Sequence, residues 1–113
     1  MTIKEFWAIF PAFFNRMSIE EAANGYTVIA WETGRPDIAQ CFYYLTGKSK
    51  LDGLTNKSNH QKHKAVDIAF LDSENRIVYP KDRFDYWHAE WIKLGGEPVI
   101  VFSDGTEDTP HFE

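Results

Sequence analysis

Cysteine is almost missing from this chain. Cys41 stands alone, so no internal disulfide forms, and a reducing compartment suits the protein. Its setting, AQCFYYL, is apolar and helix-like, which reads as a buried structural thiol rather than a nucleophile. Long hydrophobic runs are missing too. Nothing approaches the ~20 consecutive apolar residues of a membrane span, so no membrane insertion is expected. Positive charge is in short supply: 12 Lys and Arg against 17 Asp and Glu leave a net charge of −5 and a pI near 5.3. That balance excludes a nucleic-acid partner held by a basic footprint, and equally a charge-driven attraction to an anionic wall polymer. No repeat, low-complexity stretch or interdomain linker breaks the 113 residues, which read as one domain, 1–113.

What the chain has in quantity is aromatic side chains. Nine Phe, five Tyr and four Trp make up 16% of the residues, enough for a dense core or a ring-lined groove. Ile3, Phe6, Trp7, Phe10, Phe13, Phe14 and Met17 recur at helical spacing and predict an amphipathic helix, bent or restarted at Pro11. This stretch carries no small-residue cleavage site, so synthesis in the cytoplasm without a Sec signal is expected. Ser18 and Glu21 have the spacing of a capping box for a short second helix that ends at Gly25.

Further along, YTVIAWE (26–32) reads as a strand, and GRPDIAQCFYYLTGKS as a helix opened by Pro36 and closed near Gly47. Residues 48–60 are loop-like. AVDIAFLD and RIVYP form a predicted hairpin around SEN. KDRFDYWHAEWIKLGG predicts a helix with Phe84, Trp87, Trp91 and Ile92 on one face, the tryptophans reading as core rather than as a carbohydrate platform. PVIVF reads as a short strand, SDGTED as a turn and HFE as a last strand. Helices first and hairpin strands later predict an α+β domain, a small antiparallel sheet packed with helices.

Chemistry concentrates in two places. Asp67 lies inside the apolar strand AVDIAF, where a carboxylate either faces solvent on an edge or binds a cation, since burying it unpaired is costly. His60 stands seven residues before it. Asp108 and His111 are spaced i, i+3, which lets a carboxylate reach over a site that the histidine helps to build. Each piece alone is ordinary: a solvated strand Asp, a solvated His.

Together, S-x-H-x6-D (Ser58, His60, Asp67) and D-x-P-H-F-E (Asp108 to Glu113) resemble the zinc peptidoglycan peptidases of the D-Ala-D-Ala carboxypeptidase kind. The endolysin-type L-alanyl-D-glutamate endopeptidases are the branch that these residues look most like. That family reads S-x-H-x-x-G-x-A-x-D, with Ser58, His60, Ala65 and Asp67 in place, and then a late E/D-x-x-H, matched by Asp108 and His111. Its Arg, the Gln five residues on, and the Tyr and Gly that follow are met by Arg35, Gln40, Tyr44 and Gly47. The resemblance covers about residues 26–113.

It implies a Hedgehog/D-Ala-D-Ala peptidase-like fold with a zinc site on the sheet. His60, Asp67 and His111 would hold Zn²⁺, Asp108 would be the general base, and Arg35 would steady the oxyanion or a substrate carboxylate. Ser58, Gln40 and His63 would position substrate, and Glu113 is a candidate to orient a ligand histidine. The implied partner is a peptidoglycan stem peptide, cut by a monomer acting at the cell wall in phage or prophage lysis. Two departures stand out. His63 occupies the family's Gly position, as a loop cover, a substrate contact or a replacement ligand. The family's Trp-Gly-Gly appears here only as LGGEP, which fits a trimmed groove. A D,D-carboxypeptidase or dipeptidase, and a non-catalytic zinc-containing peptidoglycan-binding relative, remain as alternative readings.

Overall fold

The computed structural model describes residues 1–31 and 64–113. In chain order these form α1 (Ile3–Ala23), β1 (Thr27–Trp31), β2 (Val66–Leu71), β3 (Ile77–Val78), α2 (Lys81–Lys93) and β4 (His111–Phe112). The described residues are thus an α+β arrangement of two helices and an antiparallel sheet. The expected helix at 34–49 and the residues Arg35, Gln40, Cys41, Ser58, His60 and His63 lie outside the described residues.

The first helix corrects two expectations. Of the two alternatives at Pro11, a bend or a restart, the restart is excluded, and no second helix begins at Ser18, since α1 runs unbroken from Ile3 to Ala23. Its capping box is at the other end, where the Glu5 amide donates to the Thr2 hydroxyl and the Thr2 amide to the Glu5 carboxylate. The magnitudes explain the continuity. Pro11 costs the helix about 3 kcal/mol or more. Burying Phe6, Phe10, Phe13 and Met17 along one stripe returns roughly 1.5–3 kcal/mol for each side chain. Ser18, now mid-helix, turns its hydroxyl back to the Phe14 carbonyl at 2.9 Å. Ile3 and Trp7 sit at the margin of that stripe and stay partly exposed.

β2 is the centre of the sheet. β1 pairs along one edge in the register Trp31–Asp67 through Thr27–Leu71. β3 pairs with Phe70 and Leu71, and β4 with Val66 and Asp67. Because Asp67 faces both Trp31 and His111, β3 and β4 share the second edge of β2, end to end. Strand alternation then separates the two faces. Val66, Ile68, Phe70 and Phe112 turn to the helices and are fully buried. Trp31, Asp67 and His111 lie in one row on the opposite face.

The helix side is closed by rings. Phe13 meets Trp91 at 4.8 Å, Trp87 at 5.7 Å and Phe112 at 5.8 Å between centroids, and Phe70 meets Phe84 at 4.7 Å. Both tryptophans are core, as expected; Ile92, predicted to share their face, is instead exposed. The expected strand at 98–102 reduces to a single bridge, Val101 to Glu107, because residues 102–106 turn back at once through a bond from the Phe102 amide to the Thr106 carbonyl.

Candidate functional site

Three polar side chains converge where β4 meets β2. The pairing of Asp67 with His111 is fixed by the main chain, since the Ile68 amide donates to the Pro110 carbonyl at 2.8 Å. A turn brings in the third residue. The Asp108 amide donates to the Ile100 carbonyl at 2.8 Å, and the His111 amide closes back on the Asp108 carbonyl at 3.1 Å. Pro110 suits this turn, having a fixed φ and no N–H to satisfy.

His111, only 8% exposed, has carboxylates at both ring nitrogens. Nδ1 lies 3.6 Å from Asp67 Oδ1 and 4.0 Å from Asp108 Oδ2. Nε2 lies 3.4 Å from Glu113 Oε1. Glu113 is itself tied down: its main-chain oxygen accepts from the Trp91 indole at 2.7 Å and from the Glu97 amide at 2.8 Å. Gly96 makes that approach possible, because a Cβ there would fall 2.1 Å from the Trp91 ring nitrogen.

Burial pulls the His111 pKa down, but Asp67, Glu113 and Asp108 outweigh it and hold the ring at about 9. In metal-free protein His111 is therefore an imidazolium at neutral pH. The raised folded-state pKa means that its stabilisation is complete below the ordinary value of 6.5 and disappears as pH rises through about 9. The shift corresponds to roughly 3 kcal/mol. Urea unfolding of chelator-treated protein should show this loss between pH 6.5 and 9, and His111→Asn should remove it. A stability difference between the two proteins that is flat across that window would contradict the cluster.

Asp67 and His111 also present two atoms of the kinds that ligate zinc. Around a tetrahedral zinc with bonds of about 2.0–2.2 Å, neighbouring ligand atoms stand about 3.3–3.5 Å apart. His111 Nδ1 and Asp67 Oδ1, at 3.6 Å, are close to that spacing and longer than a good hydrogen bond. Glu113 at Nε2 is the carboxylate that a ligand histidine commonly requires to fix its tautomer. Among the described residues, no three His, Cys, Asp or Glu side chains form a complete metal-binding group. Asp67 and His111 are neighbours there, and His60, expected from sequence as a third ligand, lies outside the described residues.

The structure thus brings together Asp67, Asp108, His111 and Glu113; Arg35, Gln40, Ser58, His60 and His63 are outside what it describes. Three further neighbours have roles at the site that no local sequence pattern marks. Trp31 pairs directly with Asp67 and is 40% exposed. Tyr79 is near enough that burial and the charge of Asp67 raise its phenol pKa. His88 reaches the turn from α2. Trp31 ends an evident strand, but its partner depends on a register that local sequence does not carry. No known protein family, curated protein or solved structure matches the chain.

Proposed function

We infer that this protein is a zinc-dependent peptidase that hydrolyses peptidoglycan stem peptides, with L-alanyl-D-glutamate endopeptidase activity of the endolysin kind. The observation that carries the reading is the convergence of Asp67, Asp108 and His111 across β2 and β4. Those residues are 44 positions apart at their extremes, and they are the ones the family resemblance assigns to the metal and the base. The fold supports the reading at the coarse level of an antiparallel sheet backed by helices; a zinc site on that sheet and the peptidase-like architecture belong to the proposal.

Asp67 and His111 would hold the zinc with His60 as third ligand. When bound, zinc supplies a Lewis acid that polarises the scissile carbonyl and acidifies a water. Asp108, 31% exposed at its side chain and 4.0 Å from His111 Nδ1, takes a proton from the attacking water and returns it to the leaving amine. Glu113 keeps the proton of His111 on Nε2, which leaves Nδ1 as the donor atom. Arg35 receives the oxyanion or a substrate carboxylate, a task suited to its planar fork of donors, while Ser58, Gln40 and His63 position the peptide. The product acts at the cell wall, in phage or prophage lysis, as a monomer.

Mass spectrometry of muropeptides after digestion tests the bond choice. New fragments cut between L-Ala and D-Glu are the expected result. Release of terminal D-Ala would instead make it a carboxypeptidase or dipeptidase, and an unchanged muropeptide profile would leave a peptidoglycan-binding relative.

A further inference from the structure

His88 is buried in α2, only 6% exposed, and the proposed chemistry does not use it. Its ring lies parallel to Phe112, with centroids 4.1 Å apart and planes within 1°. Packing alone would be served by a phenyl or an aliphatic side chain. The imidazole adds one polar contact: Nε2 meets the Thr109 carbonyl at 2.7 Å. A carbonyl only accepts, so Nε2 carries the hydrogen and donates it. Nδ1 is then a buried acceptor with no hydrogen-bond partner among the described residues. Leaving an acceptor unmade is unfavourable, so the bond at Nε2 is what the ring retains in exchange.

The location of that bond gives it meaning. Thr109 sits between Asp108 and His111, and its carbonyl lies in the turn that the His111 amide closes on Asp108. Phe112, under the imidazole, is the β4 residue next to His111 and is fully buried. One side chain therefore grips both flanks of the candidate ligand, by a hydrogen bond before it and by ring stacking after it. Burial is the main influence that lowers the His88 pKa, which keeps the ring neutral and a single-proton donor.

We propose that His88 is a positioning residue: its Nε2–H fixes the Thr109 carbonyl and thereby sets the Asp108–His111 turn in the geometry that the metal ligand and the base need. The inference rests on the metal-centre reading for its purpose, but the hold on the turn is independent of metal. His88→Met and His88→Gln are nearly the same length and differ in whether they carry a donor. In metal-free full-length protein, hydrogen exchange at the Asp108 and His111 amides should quicken at least ~10-fold in the Met variant. Amides of β1 paired with β2 should keep their protection, and the Gln variant should return the turn amides toward the original rates. Zinc affinity, measured against a chromophoric chelator, should fall about 10–100-fold in the Met variant and recover with Gln, the size typical for residues that orient metal ligands.

Unchanged exchange at both turn amides in the Met variant, or equal acceleration with Met and Gln, would overturn the proposal. Should the Met variant fail to fold, His88→Phe, which keeps the stack and lacks the donor, replaces it in the same comparison. If the unaltered protein takes up no zinc, the metal-centre reading fails, while the exchange measurements still decide whether His88 holds the turn.

Discussion

Asp108→Asn is expected to leave zinc bound and to lower stem-peptide cleavage by about 10²–10⁴-fold, the usual contribution of a general base. Asparagine is nearly isosteric, and the main-chain bonds of the turn do not involve the carboxylate. Asp108 is placed through its main chain, by the bonds to Ile100 and His111, and both survive the change. What disappears is the proton acceptor beside His111. Turnover and zinc content together decide the outcome. Retained turnover would show that another group is the base, and lost zinc would make Asp108 a ligand.

The second large effect is on stability. Glu21, read in the sequence as a cap partner of Ser18, is instead a fully buried carboxylate joining α1 to α2. It accepts from Arg83 Nε at 2.8 Å, Arg83 Nη2 at 2.8 Å, Asn24 Nδ2 at 2.9 Å and the Trp87 indole N–H. Burial alone would raise its pKa, but these donors outweigh burial and leave it lowered. Glu21→Ala strands the indole N–H of a fully buried tryptophan and removes the partner of Arg83, so a loss of about 3–5 kcal/mol is expected. For a domain of this size that is a fall of roughly 10–20 °C in Tm. Because the folded-state pKa is depressed, the contribution is present above the unfolded value of 4.5 and fades as pH falls through the folded one. Thermal unfolding at pH 7 and in mild acid measures both features. A loss below about 1 kcal/mol at pH 7 would mean that Glu21 is not the joint between the helices.

Glu21 shows where local sequence reasoning stops. The β-branched and apolar runs of β1 and β2, the SEN turn and the Phe84–Trp87–Trp91 face were legible because each is set by neighbours within a few residues. The SIEE signature pointed to a helix start, yet the buried stripe from Phe6 to Met17 carried α1 through it, a tertiary effect that outweighs a local cap. The strand expected at 98–102 failed because β propensity does not supply a partner. Asp67, Asp108 and His111 were identified as a set through motif resemblance. Their meeting depends on the register of a two-residue strand, which no local pattern contains. Glu113 was visible only as a candidate, and His88 not at all, since its role follows from α2 passing beneath Phe112.

Zinc titration of metal-free protein at pH 7 decides whether Asp67 and His111 form part of a zinc centre. Saturable uptake of one zinc per chain is expected, with proton release as His111 gives up the proton that its carboxylates hold to about 9. Asp67→Asn and His111→Asn should each abolish tight binding. Absence of saturable uptake, or uptake that both substitutions leave unchanged, would contradict it.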